Sequence, residues 1–462
     1  MLCETAKEKA GSTIPKRRLY NEKRQKVAGS IPARPTHTAM KYKKIMEEVA
    51  GLCTPTKAEQ ARVEKIVKEV EMKVNAALKK LKLSAKCLIG GSVAKGTWLP
   101  GVSDIDFFIL FNYDKYKSQT SNLSDIAGRA IKLVFKKVER LHGSRDYFNV
   151  SYDNLILEFV PVLAISWLSD ALNLTDYSPL HVYWVCDRLK ANRKLQTEVR
   201  LAKQFFKAAG VYGAESYITG FSGHAVEILT IYYGSFMKLL QNAAEWKHGD
   251  VIDVNRTYKN KNKIFSLINA SKLQSPIIVI DPVEPTRNAA AALGDEKFGQ
   301  LKKFAKKFLA NPSANFFKVK QFNIESLQFK GEPNYDLFVL QAKPAHGKTD
   351  VVGCKLLKLF ETLKREIKNH DFLILNSNWY WPGEGKAVFW FYLPAKLLPK
   401  EKIIIGPPAK IQEKFIKQFK KKWKRVYLKG GRYYAKAKRE TVAADMLIKK
   451  LAKQYKLLTL KS

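Results

Sequence analysis

Asp104 and Asp106 are the side chains in this sequence whose types and spacing most plainly offer chemistry. They open the run Asp104-Ile105-Asp106-Phe107-Phe108-Ile109-Leu110-Phe111, which reads as a buried strand. Side chains alternate along a strand, so both carboxylates face one way, about 7 Å apart, and can hold hard divalent cations such as Mg²⁺. An Asp-x-Asp pair alone is more often a solvated strand end. At the mouth of a buried strand, though, acids are costly unless paired or metal-bound. Just upstream lies Gly90-Gly91-Ser92-Val93-Ala94-Lys95-Gly96-Thr97-Trp98, a glycine-serine turn leading into a short helix. Its free N–H groups form a cradle for phosphate oxygens. It is not a Walker loop, because Lys95-Gly96-Thr97 lacks the Gly-Lys-Ser/Thr order. Phosphates beside carboxylate-held metal describe nucleotidyl transfer.

The elements that must position these groups are legible nearby. Thr56 caps a helix whose apolar residues Val63, Ile66, Val67, Val70, Val74, Leu78 and Leu81 keep a helical period. A strand at 86–89 feeds the glycine turn, a helix is expected over 123–141, and 147–152 with 155–160 read as a hairpin around Asp153-Asn154. These make a small α/β catalytic domain over 41–165. From 166 to 312 the pattern turns helical, with helices expected at 195–209, 221–239 and 298–309 and a strand at 276–280 ending in Asp281-Pro282-Val283. Beyond that, 313–462 mixes strands and helices. Residues 1–40, with Lys16-Arg17-Arg18 and three prolines, read as a basic disordered arm.

The chain has 462 residues, too many for one typical domain, and 46% hydrophobic content allows sizeable cores. Its net charge is +40, from 82 Lys+Arg against 42 Asp+Glu, and points to a polyanionic partner, nucleic acid before membrane. Between Lys400 and Arg439, fifteen Lys/Arg stand against two Glu, interleaved with Trp423, Tyr427, Tyr433 and Tyr434. Cations that track a backbone and rings that stack on bases are what RNA binding uses. A helix with a solvated lysine face is the plainer alternative. The five cysteines, Cys3, Cys53, Cys87, Cys186 and Cys354, have no CxxC spacing, which argues against a zinc ribbon or disulfide framework and favours a reducing cytoplasm. No apolar run approaches the roughly 20 residues of a membrane helix.

The segment GGSVAKGTWLPGVSDIDFF resembles the signature of the archaeal, class I CCA-adding enzymes, tRNA nucleotidyltransferases of the DNA polymerase β superfamily. SPLHVYW, EVRLAKQFFKAAGVYGAESYITGFSGHAVE, WKHGDVIDV and VIDPVEPTRNAAA are also similar to that family, over residues 41 to 320, with a weaker likeness beyond. The resemblance implies a polymerase-β-like head, a helical central domain and a mixed α+β RNA-binding C-terminal region with a shortened tail. It implies a cytoplasmic enzyme, a possible homodimer, that adds CCA to tRNA from CTP and ATP with Mg²⁺ and no template. It matches Asp104 and Asp106 to the first two metal-binding acids and Glu158 to the third, where the family commonly has Asp. Ser92, Lys95 (usually Arg in the family), His181, Lys203 and Tyr212 match the residues that hold the triphosphate and sugar. Arg287 matches an arginine that helps read the base.

Plainer roles stand beside these. Asp153 in the hairpin turn is the rival third acid, His181 could be a core histidine, Lys203 a solvated helix lysine, Tyr212 a cap contact, and Arg287 a partner of Asp281 or Glu284. A poly(A) polymerase, an oligoadenylate synthetase or a catalytically dead RNA-binding scaffold would share the superfamily site.

Overall fold

The computed structural model describes residues 37–327 and 334–461, so most of the expected basic arm lies outside the described residues. Residues 37–40 already belong to helix α1, His37–Cys53. The chain divides into two compact units, one running to Lys320 and one starting at Gln321.

In the first unit, α2 (Lys57–Lys80) starts at a capping box. Thr56 Oγ1 accepts from the Glu59 N–H at 3.1 Å, and Glu59 Oε2 accepts from the Thr56 N–H at 2.8 Å. Such a cap is worth about 1 kcal/mol. Its apolar stripe, Val63 to Leu78, is buried against a five-stranded sheet. That sheet comprises β1 (Ala85–Ile89), β2 (Asp104–Asn112), β3 (Glu139–Leu141), β4 (Tyr147–Tyr152) and β5 (Leu155–Ala164), in the order β1-β2-β5-β4-β3. Helix α3 (Gly91–Lys95) links β1 to β2. β1 is an edge strand, and α2 closes that edge with side chains. Asn75 accepts from Cys87 N at 2.9 Å and donates to Cys87 O at 3.0 Å, while Glu71 Oε1 accepts from Ile89 N at 2.9 Å.

The helix expected over 123–141 stops at Val134 as α4 (Leu123–Val134), and 139–141 becomes β3. Phe135 takes extended backbone angles and buries its ring against Phe159 and Tyr152, at 5.7 and 5.9 Å between centroids. Continuing the helix would have given up that burial for a turn of lysines. The β4–β5 hairpin forms around Asp153-Asn154, both with positive φ, as the favoured two-residue turn requires.

Helices α5 (Ser178–Ala191), α6 (Lys194–Ala208), α7 (Gly223–Tyr233), α8 (Phe236–Glu245) and α9 (Asp295–Ala310) form the helical part of this unit. The single helix expected over 221–239 is two, broken where Gly234 adopts φ +77 and Ser235 Oγ caps the next helix by accepting from Lys238 N. A ring cluster of Phe205, Phe236, Phe308 and Phe317 fills its core. A parallel pair, β6 (Asp250–Ile252) and β7 (Ile277–Val279), leads into Asp281. Residues 314–317 pack here too, Phe317 O accepting from Gln204 Nε2 at 2.6 Å.

The second unit holds two sheets. β8 (Tyr335–Ala342), α10 (Thr349–Asn369), β9 (Asn376–Tyr380) and β10 (Ala387–Pro394) come first. The second sheet is β11 (Glu401–Pro408), β12 (Val426–Lys429) and β13 (Arg432–Lys438), with α11 (Glu413–Lys422) on one face. α12 (Ala444–Gln454) and β14 (Leu458–Lys461) close the chain, β14 joining the first sheet in the order β14-β8-β10-β9. α11 covers the face bearing Gly406 and Tyr433. The opposite face carries exposed Ile403 and Ile405 beside the stacked Tyr427–Tyr434 pair and Lys436. The basic, aromatic stretch of Lys400 to Arg439 is thus this small sheet and its helix. Among the described residues no helix is long and apolar enough to cross a membrane.

Candidate active site

Strand register sets three acidic residues on one face. β2 and β5 run parallel with Asp106 opposite Glu158 and Asp104 opposite Ile156. Residues in register share a face, so Asp104, Asp106 and Glu158 line one surface, with strands about 4.8 Å apart. Asp106 is pushed up to about 6, mainly by burial and then by the like charge of Asp104, with Lys95 and Lys203 pulling the other way. Gly91, at φ +55, lies against it. A Cβ there would fall 1.6 Å from Asp106 Oδ2, so no other residue fits the turn without moving the carboxylate. Gly90 N donates to Asp106 O at 2.7 Å, tying turn and strand. The rival acid, Asp153, sits in the hairpin turn and accepts from Arg62 Nε of α2 at 3.0 Å. Opposite Glu158 on β4, Asn149 keeps a buried side-chain oxygen with no hydrogen-bond partner among the described residues. Three carboxylates and an unclaimed amide oxygen are a hard donor set, suited to Mg²⁺-type cations.

Beside them is a buried ionic cluster. Lys95 ends α3, Lys203 lies on α6, and both reach Glu227 on α7, at 2.8 and 2.7 Å. Thr97 Oγ1 donates to Glu227 Oε1 at 2.7 Å and accepts from Lys203 Nζ at 3.0 Å. All four are buried. Burial alone would raise the Glu227 carboxyl, but Lys203 and Lys95 hold it well below its usual range. Lys203 is lowered by burial, with Glu227 opposing. Lys207, one turn on, is lowered by burial while Asp104 pulls it up, and its ammonium lies 5.4 Å from the Tyr212 ring centroid. Tyr212 is raised by burial and packs on Gly223 at the start of α7, where a Cβ would meet its Oη at 2.6 Å. Ser92 is the second residue of α3, and its carbonyl accepts from Thr97 N at 3.0 Å.

His181 of α5 lies 3.0 Å from Asp281, just past β7. Arg287 donates from Nη1 to Asp281 Oδ2 at 3.2 Å, so of the two acids considered for it, Asp281 is the partner. His224 is pushed down to about 4 by burial, its ring nitrogens 3.6 Å from Glu227 and 3.8 Å from Asp281, beyond hydrogen-bond reach. His181, His224 and Asp281 have the donor types of a transition-metal site. Asp281, however, already meets Val283 N, Glu284 N, His181 and the Arg287 guanidinium. A metal there would have to displace a cation already in place.

All nine residues singled out in the sequence therefore lie in the first unit, the acids on the sheet and the rest around Glu227 and Asp281. Sequence reasoning missed Glu227, Thr97, His224 and Lys207. Lys207 was discoverable, because a lysine four residues after Lys203 shares its helix face.

The model of the nucleotidyltransferase domain matches residues 71–153, that of the tRNA nucleotidyltransferase second domain 197–318, and that of the CCA-adding enzyme C-terminal domain 339–458. A CCA-adding enzyme of Methanocaldococcus jannaschii is 30% identical over 407 residues, covering 86% of this chain and 87% of its own. One from Saccharolobus islandicus is 30% identical over 410 residues, 88% of this chain and 91% of its own. One from Methanosarcina barkeri is 29% identical over 390 residues, 82% of each. The chain belongs to the CCA-adding enzyme family. All three family models match this chain, and Lys95, Thr97, Asp104, Asp106, Lys203 and Glu227 fall in the matched regions. Glu158 lies five residues beyond the first model's end, and strand register sets it opposite Asp106.

Proposed function

We propose that this chain adds CCA to tRNA 3′ ends, taking CTP and ATP as substrates and using no template. The observation that carries the proposal is the register of β2 against β5, which sets Asp106 beside Glu158 on the face shared with Asp104, next to Lys95 and Lys203. In the reaction the terminal 3′ oxygen of tRNA bonds to the α-phosphorus, the bond from that phosphorus to the bridging oxygen breaks, and pyrophosphate leaves. Asp104, Asp106 and Glu158 would hold Mg²⁺, which lowers the cost of ionising the 3′ hydroxyl and of the charge building on the leaving group.

The remaining groups act by binding and orientation. Lys95 and Lys203 supply ammonium donors for the β- and γ-phosphates, with Ser92 and Tyr212 at the same site. Holding the triphosphate removes much of the entropic part of the barrier. His181 stands at the Asp281 side of the pocket as a contact for the sugar or triphosphate. Arg287, braced by Asp281, keeps guanidinium donors for base edges or a phosphate. The open, aromatic and basic sheet of the second unit offers a surface for the tRNA backbone.

The test is to incubate the protein with tRNAs ending before C, CC and CCA, with each nucleotide alone and together, and to sequence the products. Addition that stops at CCA is expected. Unlimited A tails would show a poly(A) polymerase, and no extension would show a scaffold.

A further inference from the structure

Glu227 is 1% exposed, and three elements converge on it. Oε2 accepts from Lys95, at the end of the glycine turn's helix, and Oε1 accepts from Lys203 on α6 and from Thr97 just past the turn. Two buried ammoniums against one buried carboxylate leave one positive charge, the sign a triphosphate needs. An ammonium has three donors. Among the described residues, Lys203 spends two, on Glu227 and Thr97, and Lys95 spends one, on Glu227. Those bonds fix both lysines' directions before any ligand arrives.

We propose that Glu227 is the positioning residue for triphosphate recognition, anchoring Lys95 and Lys203 as a preset pair and holding them away from the metal-binding carboxylates. The inference rests on the reading of those lysines as triphosphate contacts. Its physical basis is the cost of burying two ammoniums with no counter-ion. Without Glu227 the carboxylate left to neutralise them is Asp106. Both lysines already act electrostatically on Asp106. Lysines drawn there would compete with Mg²⁺ and be lost to the phosphates. The other charged and polar groups facing Glu227 offer no substitute anion: His224 is neutral and buried, and Tyr212 is held as the phenol. Thr97 supplies a hydroxyl and no charge.

The test compares full-length wild type with Glu227→Gln, Glu227→Asp, Lys203→Met and the Glu227→Gln/Lys203→Met double variant. Equilibrium binding is measured for CTP, for CMP, and for tRNA lacking CCA. Glu227→Gln should weaken CTP by about tenfold or more, as breaking a buried charge pair implies, and leave CMP and tRNA within about threefold. The double variant should bind CTP more tightly than the two single losses multiplied together predict, because the anchor for Lys203 no longer matters and only that of Lys95 is left to lose. Glu227→Asp, which keeps the charge but is too short to reach both lysines, should fall between, and carries the test if the Gln variant does not fold. Equal losses for CTP and CMP, or full additivity with Lys203→Met, would make Glu227 merely structural and overturn the inference. If Lys203→Met itself leaves CTP affinity unchanged, the triphosphate reading fails and this inference falls with it.

Discussion

Replacing Glu158 by Gln separates the third-ligand assignment from its rival by a large margin. Glu158 faces Asp106 across β2 and β5 at a strand spacing of about 4.8 Å. A unit charge about 4 Å from a cation, with an effective dielectric constant of about 20, is worth about 4 kcal/mol per unit of cation charge. Since each 1.36 kcal/mol is tenfold in rate, removing it should lower kcat by about 10²-fold or more. Glu158→Asp, one methylene shorter, should keep partial activity because the charge remains. Asp153 is the control. Its contact with Arg62 is half-exposed on both sides, a class of pair worth about 0–1 kcal/mol, so Asp153→Asn should be nearly silent in activity and stability. The assay is single-nucleotide C addition to tRNA lacking CCA, with tRNA affinity measured alongside. A dead Asp153→Asn with an active Glu158→Gln would refute the reasoning from strand register.

Binding of tRNA should weaken steeply with salt. With six to ten phosphates contacted, affinity should fall about 10³–10⁵-fold between 50 and 200 mM, and replacing Lys420, Lys421, Lys422 and Lys424 by Gln should flatten that slope. Arg287→Ala should reduce the kcat/KM preference for CTP and ATP over UTP and GTP by about tenfold while leaving tRNA affinity near wild type, because a braced guanidinium is lost from the pocket and not from the basic sheet. Thermal melts from pH 3 to 7 should show the depressed Glu227 carboxyl directly. A carboxyl lower in the folded state stabilises above its unfolded value, near 4.3, and that contribution is lost as pH falls toward the folded value. The Tm gap between wild type and Glu227→Gln should therefore narrow below about pH 4; a constant gap would contradict the ionic pairing.

What could be read from the sequence was local or periodic. The Thr56–Glu59 capping box, the turn at Asp153-Asn154 and the shared face of Asp104 and Asp106 follow from spacing within a few residues. The family resemblance added Glu158, His181, Lys203, Tyr212 and Arg287 as positions, without their partners. Those partners are distant in sequence: Lys95 and Glu227 are 132 residues apart, and His181 and Asp281 are 100. Glu227 sits among Ala225, Val226, Ile228 and Leu229, where an apolar helix reads as plain core. The two misjudged helices failed for tertiary and backbone reasons. Phe135 leaves α4 to reach the sheet, and Gly234 breaks a run whose apolar period continues on both sides.

The side chains of α2 that close the edge of β1 also bear on timing. Asn75 and Glu71 hold the amides of Cys87 and Ile89 as a neighbouring strand would, and Ile89 is the residue before the Gly90-Gly91 turn. An outer strand ordinarily exchanges its amide hydrogens early, because fraying exposes them first. Here release of those two amides requires α2 to lift, and α2 is anchored along Val63 to Leu78. Cys87 and Ile89 should accordingly exchange with the slow interior strands, and the turn over Asp106 inherits that rigidity.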